Sequence, residues 1–426
     1  MDARETAFNV IYNITEEDKP SHVVLKEALK TCDLDKRDRA FVTRLTEGTL
    51  ERLIFVDHVI DAVSNTKVKK LKPIVRTALR MSVYQMFFMD SVPDSAAVNE
   101  GVKIVKKQGL SSLSGFTNGV LRNIVRRKDE LKESAEKAPY IKYSCPKWIY
   151  EYLRKTYGKE KAEAVMQGFN RDPAVSVRVN LSKISRDELA KRLEDRGVTV
   201  LPGCLHDYSI ILKNTDDISI LPEFNEGLFQ VQDESSMFVA EFAEITGNEL
   251  IIDMCAAPGG KSLHAADIIK RKNGTGRVIS RDVSDKKVEL INENVKRAGF
   301  DCIKTEVHDA LAFDESLTEK ADVVLLDAPC SGLGIVARKP DIRYKMTAKQ
   351  QSELAELQKE MLKVAVRYLK PGGKLVYSTC TINKRENEEN VDFAKNELGL
   401  KCETSRQFLP GVDECDGFFV ARLRKQ

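Results

Sequence analysis

The sequence lacks long apolar runs and carries almost no excess of either charge. Its apolar stretches, such as residues 83–89 and 323–326, are far shorter than the roughly 20 residues that cross a bilayer. The 68 basic residues nearly balance 65 acidic ones, which leaves a net charge of +3. The first residues also contain no apolar leader core. We therefore expect a cytoplasmic globular protein without a membrane span or secretory signal, and any nucleic-acid binding would depend on local basic patches.

Signatures of disulfides and metal sites are also missing. The nine cysteines are an odd number, and none is spaced C-x-x-C from another. The five histidines cluster neither with each other nor with a pair of cysteines. We therefore expect free thiols and no bound metal.

Hydrophobic periodicity divides the chain into three predicted domains. Residues 1–138 repeat apolar positions every three or four residues, which predicts an all-α domain. Residues 139–235 begin as helix and then alternate, which predicts a linking helical segment and a small α+β module. Residues 236–426 alternate strands and helices, a pattern typical of a Rossmann-like α/β domain with a mostly parallel sheet. The charged stretch 126–137 is expected to be a linker or an exposed helix end.

A glycine turn follows the first strand of the predicted parallel sheet. The segment DMCAAPGGKS begins at Asp253, at the carboxyl end of a strand, where such sheets bind ligands. Gly259 and Gly260 allow a ligand to approach the backbone, and the following helix start offers amide donors. A P-loop interpretation is poor, because Cys255 occupies the position of its first glycine. The turn therefore predicts a nucleoside site.

Three acidic residues follow the next predicted strands: Asp282, Asp309 and Asp327. Asp282 is expected to bind ribose hydroxyls, as acids about 20 residues past such a turn do, although it would suit NAD equally well. Asp309 is placed to accept from an adenine amino group, and Asp327 opens the motif DAPCSGLG. A single acid after a strand is commonly a helix cap. Three of them in register with a glycine turn favour the nucleoside site.

Two cysteines also follow predicted strands, Cys330 in DAPCSG and Cys380 in YSTCT. A free cysteine is most often a small buried hydrophobe, but these two lie at the expected ligand edge. A thiolate that attacks C6 of cytosine turns the ring into an enamine, which accepts a methyl group at C5. That reaction needs a thiol of low pKa and a base that removes the C5 proton.

The motifs DMCAAPGGKS, DAPCSGLG and YSTCTINKRENEENV together resemble those of RNA cytosine-C5 methyltransferases that use S-adenosylmethionine. The N-terminal region, with FVTRLTEGTLERLIFVDHVI and FTNGVLRNIVRR, resembles the NusB-like helical RNA-binding domain. Together they resemble the bacterial ribosomal small-subunit methyltransferase B (Sun or Fmu) family over essentially the whole chain. This resemblance implies an all-α NusB-like domain, a small α+β module and a class I methyltransferase domain.

The resemblance also implies a reaction and its residues. The reaction would transfer a methyl group from S-adenosylmethionine to C5 of one cytosine in 16S rRNA, at position 967 in the family. Cys380 would be the nucleophile, Cys330 would aid product release, and Asp327 would contact the cytosine edge. The cofactor pocket would be formed by Cys255, Ala256, Ala257, Pro258, Gly259, Gly260, Lys261, Asp282, Asp309 and Asp327.

Basic residues at two places are expected to contact the rRNA. They are Arg122, Arg126 and Arg127 in the helical region, and Arg338, Lys339 and Arg343 after the Cys330 loop. Solvated helix faces are the alternative for such runs. The target base would have to leave its stack to reach the pocket. The protein is expected to act as a monomer.

Two other functions remain open at this point. The catalytic motifs are shared by enzymes that form 5-methylcytosine in tRNA or at other rRNA sites. A non-catalytic RNA-binding assembly or antitermination factor is the second alternative, although such a degenerate enzyme would be expected to have lost Cys380 or the glycines. Methylation of a protein amine is disfavoured, because it would need no pair of cysteines.

Overall fold

The computed structural model describes residues 2–213, 215 and 217–426, except for the side chain of His22. The chain forms two compact units. One unit runs to Arg171 and includes Val336–Lys345, and the other comprises Asp172–Ile335 and Met346–Gln426. Within the described residues, no helix is long and apolar enough to cross a membrane.

The first unit is helical. Prolines predicted to mark helix starts do so, because their fixed φ suits a first turn: Pro73 begins the fifth helix, and Pro20 and Pro93 directly precede the second and sixth. The all-α fold of this region is confirmed. Its helices are α1 (Ala3–Thr15), α2 (Ser21–Thr31), α3 (Lys36–Glu51), α4 (Leu53–Val63), α5 (Pro73–Phe88), α6 (Asp94–Lys107), α7 (Ser114–Arg126), α8 (Lys128–Glu136), α9 (Pro139–Lys142), α10 (Lys147–Tyr157) and α11 (Lys159–Gly168).

The charged stretch 126–137 is not a linker or an exposed helix end. Most of it forms α8, in which Leu131 and Ala135 are buried and join the apolar core of the unit. These two residues are four positions apart, so one face of the helix is apolar although the sequence is highly charged. Helices α9 to α11 follow in the same unit, which continues to Arg171. The domain limits at residues 138 and 235 stay predictions.

The second unit begins with a four-stranded antiparallel sheet in the order β2-β3-β1-β4. The predicted small α+β module is confirmed, although β4 is too short for its pattern to be recognised in the sequence. The elements are β1 (Val175–Val179), α12 (Arg186–Glu194), β2 (Thr199–Pro202), β3 (Ser209–Lys213), α13 (Pro222–Asn225), β4 (Phe229–Val231) and α14 (Glu234–Ala243).

A seven-stranded sheet forms the rest of this unit, in the order β10-β11-β9-β8-β5-β6-β7. Its elements are β5 (Leu250–Asp253), α15 (Gly260–Arg271), β6 (Arg277–Asp282), α16 (Asp285–Ala298), β7 (Ile303–Val307), β8 (Ala321–Asp327), α17 (Ile342–Lys345, in the helical unit), α18 (Ala348–Tyr368), β9 (Leu369–Thr379), α19 (Glu388–Glu397), β10 (Leu400–Phe408) and β11 (Phe418–Lys425). Strands β5 to β9 pair in parallel, whereas β10 and β11 run antiparallel. The mostly parallel sheet is confirmed, but the two antiparallel strands were not predicted.

The parallel pairing brings the carboxyl ends of the central strands to one edge of the sheet. The register places Asp253 beside Leu325 and Asp327 beside Ser378. Successive side chains of a strand point to opposite faces of the sheet. The central strands are apolar on both faces, and each face packs against its own hydrophobic core. The chemistry-bearing residues that follow the strands therefore meet at one place.

Candidate active site

The glycine turn joins β5 to α15. Gly259 has a φ of +106°, a conformation that favours glycine. At the end of β6, the carboxylate of Asp282 accepts a hydrogen bond from the Ala257 amide at 3.0 Å and pairs with Lys287 at 2.9 Å. The structure thus places Asp282 against the turn, and its role toward a ribose stays a prediction.

Asp253, the last residue of β5, was not predicted as part of the site. The side chain is fully buried, and its Oδ2 accepts a hydrogen bond from Ser262 Oγ at 2.7 Å. Its Oδ1 is buried and has no partner among the described residues. Burial raises the pKa of Asp253 to about 6, although the hydrogen bond from Ser262 and the charge of Lys261 lower it. The acid that ends the apolar run LIID is the signal that sequence reasoning could have used.

Asp309 follows β7 and is exposed. Its carboxylate accepts a hydrogen bond from the Leu311 amide at 2.9 Å, so it also caps its own loop. Exposed apolar side chains adjoin both loop acids, since Val283 follows Asp282 and is 58% exposed and Leu311 is 43% exposed. Apolar surfaces beside carboxylates suit a heterocycle with flat faces and polar edges. Neither apolar residue was predicted.

Asp327 lies at the end of β8 with both carboxylate oxygens bonded. Lys261 Nζ donates to Oδ2 at 2.7 Å, and Ser378 Oγ donates to Oδ1 at 2.7 Å. Burial disfavours the charged form of Lys261, but the charge and hydrogen bond of Asp327 outweigh this and raise the pKa of Lys261. The turn after β5 and the loop after β8 are therefore joined by a half-buried, charge-assisted contact.

The two predicted cysteines meet. Cys330 lies in the loop after β8 and Cys380 directly follows β9, and their Sγ atoms are 3.2 Å apart. The hydrogen bond with Cys380, burial, and the charges of Cys380 and Glu386 raise the pKa of the Cys330 thiol well above its ordinary value. Both thiols therefore belong to one site, and their surroundings favour the protonated form of Cys330.

Two glycines bring the loop of Cys330 close to the strand that carries Cys380. The Gly334 amide donates to the Cys380 carbonyl at 3.0 Å, and the Gly417 amide donates to the Gly334 carbonyl at 2.9 Å. A Cβ at Gly334 would lie 1.9 Å from the Gly417 carbonyl oxygen. Only glycine at position 334 allows this approach, which explains its place in DAPCSGLG.

The buried carboxylate of Glu386 binds the Cys330 loop through hydrogen bonds. Glu386 was not predicted as part of the site. It is 0% exposed and accepts hydrogen bonds from the Ser331 amide at 2.8 Å and Ser331 Oγ at 2.5 Å. Asn383 Nδ2 donates to it at 2.9 Å and Gln358 Nε2 at 3.1 Å. Ser331 adjoins Cys330, so Glu386 fixes the position of that thiol.

The arginines predicted to bind RNA in the helical unit lie at the end of α7. Arg122 and Arg126 are exposed and four residues apart, so they share one face of the helix. Arg127 forms an exposed ion pair with Glu130 at 2.7 Å. The surface is open to a phosphate backbone, and the contact itself stays a prediction.

The prediction that Arg343 contacts RNA is wrong for this structure. Its side chain is 0% exposed and lies within the helical unit, where it donates to the Phe169 carbonyl at 2.8 Å and to Asn170 Oδ1 at 3.1 Å. A side chain without exposed surface presents no donor to a phosphate outside the protein. Arg338 and Lys339 are half-buried in the same segment, and their contact with RNA stays a prediction.

A parallel sheet with a glycine turn after its first strand and acids after the next is the arrangement by which doubly wound α/β domains bind nucleoside-containing ligands. Models of known families match three regions of the chain. The NusB family matches residues 1–126, the ferredoxin-like domain of RsmF/B-like methyltransferases matches residues 145–219, and 16S rRNA methyltransferase RsmB/F matches residues 241–424.

Full-length relatives agree with these matches. The chain is 35% identical over 448 residues to the probable ribosomal RNA small subunit methyltransferase B of Bacillus subtilis, covering 99% of this chain and 98% of the relative. It is 33% identical over 447 residues to the corresponding probable protein of Synechocystis, covering 100% of both. The chain therefore belongs to the ribosomal RNA small subunit methyltransferase B family, a family of S-adenosylmethionine-dependent rRNA methyltransferases.

Solved structures show the same fold. The crystal structure of PH0851 has a TM-score of 0.81 at 27% identity and covers 100% of this chain and 99% of that chain. NSun6 from Pyrococcus horikoshii, solved with SFG, has a TM-score of 0.59 at 26% identity and covers 66% of this chain and 98% of that chain.

Proposed function

We propose that this protein transfers a methyl group to C5 of a cytosine in 16S rRNA, in the cytoplasm, through a covalent adduct with Cys380. The observation that carries the proposal is the 3.2 Å separation of the Cys330 and Cys380 Sγ atoms at the ligand edge of the sheet. The half-buried Asp327–Lys261 pair lies at the same edge and supports the proposal.

The chemistry divides between the two thiols. Cytosine C5 is a poor nucleophile, so the thiolate of Cys380 first attacks C6 and makes C5 electron-rich. After methylation the C5 proton must leave and the bond between C6 and sulfur must break. Cys330 lies within reach of Cys380, and the hydrogen bond with Cys380 that most raises its pKa is lost once that sulfur is bonded to C6. A Cys330 thiolate can then take the C5 proton, and the electron pair left at C5 re-forms the C5–C6 double bond and expels the Cys380 thiolate.

Asp327 is placed to orient the base. Its carboxylate can accept a hydrogen bond from the exocyclic amine of cytosine, which uracil lacks, while Lys261 and Ser378 keep it in position. Asp327→Ala would lose the acceptor and the link to the glycine turn together.

The turn region fits S-adenosylmethionine. The residues from Cys255 to Lys261, with Asp282 and Asp309, would hold it, and when bound it supplies the methyl group. Three features support the fit: the glycine conformation at Gly259, the unpartnered buried Oδ1 of Asp253, and the exposed apolar Val283 beside Asp282.

Methylation of purified RNA tests the proposal. The full-length protein is incubated with S-adenosylmethionine and either unmodified 16S rRNA or tRNA, and new 5-methylcytosine is mapped by bisulfite sequencing. We expect one methylated cytosine in 16S rRNA, loss of it with Cys380→Ala, and no loss with Cys302→Ala, a half-buried thiol outside the site. Methylation of tRNA alone would show that the substrate is wrong, and methylation by Cys380→Ala would show that the mechanism is wrong.

A further inference from the structure

A cavity of about 400 Å³ lies inside the helical unit, apart from the residues of the methylation site. Residues of α4, α5, α8, α9 and α11 and the segments beside them line it. Its size falls within the roughly 300–1,000 Å³ of ordinary small-molecule sites. Nothing in the proposed methyl transfer uses it.

One wall of the cavity is a flat aromatic and guanidinium platform. The guanidinium of Arg52 lies over the ring of Phe88 at 4.9 Å from its centroid. Phe55 is buried beneath and packs edge-on against Phe87 and Phe88, with ring centroids 5.5 and 5.0 Å apart. These contacts fix the position of the platform. Unstacked nucleobases stack on Arg and aromatic planes of this kind.

The charge of the lining favours an anion. Burial lowers the pKa of Arg52, and the charge of its neighbour Glu51 opposes this. The two lysines at the rim are exposed, as a partner with phosphates would require. The lining carries four cations against one carboxylate: Arg52, Lys132, Lys142 and Arg171 against Glu136.

The rim also carries a side chain that can form hydrogen bonds with the edge of a base. Gln167 is exposed on α11 and lines the cavity, and its carboxamide provides one acceptor and two donors. The Tyr143 ring, with the Lys142 ammonium 5.2 Å from its centroid, forms a second aromatic surface. A ligand with a flat heterocycle, polar edges and a phosphate satisfies all of these features.

We propose that this cavity binds one unstacked nucleotide of the RNA substrate, with its base on the Arg52–Phe88 platform and its phosphates against Lys132 and Lys142. The inference rests on the proposed function, because it requires a single-stranded stretch of substrate RNA. It adds a second contact that holds the RNA by a nucleotide other than the target cytosine.

Photo-crosslinking tests the position of the base. The full-length protein is mixed with S-adenosylmethionine and a single-stranded oligoribonucleotide that contains 4-thiouridine, irradiated, and mapped by mass spectrometry. We expect crosslinks in the peptides that contain Phe87, Phe88 or Tyr143. Arg52→Lys keeps the charge but removes the planar guanidinium, so the crosslinks should fall several-fold while the salt dependence of binding stays the same.

The phosphate contacts are tested by the salt dependence of affinity. The double variant Lys132→Gln/Lys142→Gln should reduce the slope of log affinity against log salt by about 1.4, because each contact on a single strand contributes about 0.7. The matched control Lys155→Gln/Lys161→Gln removes two exposed charges from α10 and α11 outside the cavity. Its slope should equal that of the wild-type protein.

Methyl transfer to 16S rRNA is measured on the same preparations. Wild-type protein that methylates the RNA but gives crosslinks only outside the cavity overturns this inference and leaves the proposed function intact. Equal slopes for the two double variants overturn it as well. Wild-type protein that crosslinks in the cavity but methylates no rRNA or tRNA would instead overturn the proposed function.

Discussion

Glu386→Gln should destabilise the methyltransferase unit and slow methyl transfer without weakening cofactor binding. Each carboxylate oxygen of Glu386 accepts two hydrogen bonds: Oε1 from Ser331 Oγ and Asn383, and Oε2 from the Ser331 amide and Gln358. A glutamine has one amide oxygen, so its NH₂ group must face at least one donor. In the place of Oε1 it faces Asn383 Nδ2, since Ser331 Oγ can then accept instead, and in the place of Oε2 it faces the Ser331 amide and Gln358. The substitution therefore removes at least one of the four hydrogen bonds and the charge that strengthens the others.

The size of the effect follows from these contacts. Hydrogen bonds to charged groups contribute about 1.5–3 kcal/mol each, so the loss of one costs ~1.5–3 kcal/mol. For a unit of this size, 1 kcal/mol shifts Tm by roughly 2–4 °C, which predicts a drop of about 3–12 °C. A Ser331 backbone released from Glu386 no longer fixes the Cys330 thiol, and a misplacement of ~1 Å can lower kcat on the order of 10²-fold.

Differential scanning calorimetry and single-turnover methylation of 16S rRNA measure the two effects. Glu389→Gln is the matched control, because it removes the same charge three residues away from an exposed side chain. The Kd for S-adenosylmethionine should be unchanged in both variants, since none of the four bonds of Glu386 involves the glycine turn. A Glu386→Gln protein with the Tm and kcat of Glu389→Gln would refute the role assigned to this carboxylate.

Three further substitutions have distinct expected results. Asp282→Ala should raise the Kd for S-adenosylmethionine at least about tenfold in calorimetry, because it removes charge-assisted hydrogen bonds of roughly 1.5–3 kcal/mol each, and an unchanged Kd would contradict the assignment. Arg343→Ala should lower the thermal stability of the helical unit, because it leaves the Phe169 carbonyl and Asn170 Oδ1 without their buried donor, and a variant with wild-type Tm would contradict this. The folded-state pKa of Asp253 is raised to about 6 from 3.8, so the folded state retains a proton that the unfolded chain loses, and stability falls as the pH rises through this window. Relative to wild type, Asp253→Asn should therefore gain about 2 kcal/mol of unfolding free energy between pH 4 and pH 6 in urea titrations, whereas a pH-independent difference would contradict the burial argument.

The residues at the ligand-binding edge of the sheet could be predicted from the sequence, because the carboxyl ends of parallel strands lie at the same edge. A strand that ends in a glycine turn and strands that end in Asp282 and Asp327 must present these residues at one edge. Cys330 and Cys380 follow two neighbouring strands, so their meeting needed only the correct strand order.

Glu386 could not be predicted as a buried residue. It stands in the highly charged run KRENEEN, which reads as an exposed helix start. Its burial depends on donors from Ser331, which is 55 residues away in the chain, and from Gln358 on α18. A local pattern carries no information about such partners.

The prediction that Arg343 contacts RNA was wrong for a related reason. A cation that follows a catalytic loop resembles a phosphate ligand, but the segment Val336–Lys345 belongs to the helical unit. There Asp341 accepts a hydrogen bond from Ser21 Oγ at 2.6 Å. The antiparallel strands β10 and β11 were not predicted, because the last strand recognised in the sequence was the one that precedes Cys380.

Trapping of the covalent adduct tests the central claim most directly. Cys330→Ala protein is incubated with S-adenosylmethionine and unmodified 16S rRNA and analysed by denaturing electrophoresis, beside Cys380→Ala and the double variant. If Cys380 attacks the base and Cys330 assists release, an RNA–protein adduct accumulates with Cys330→Ala and is absent from both other variants. An adduct that forms without Cys380, or turnover that neither substitution affects, would contradict the account.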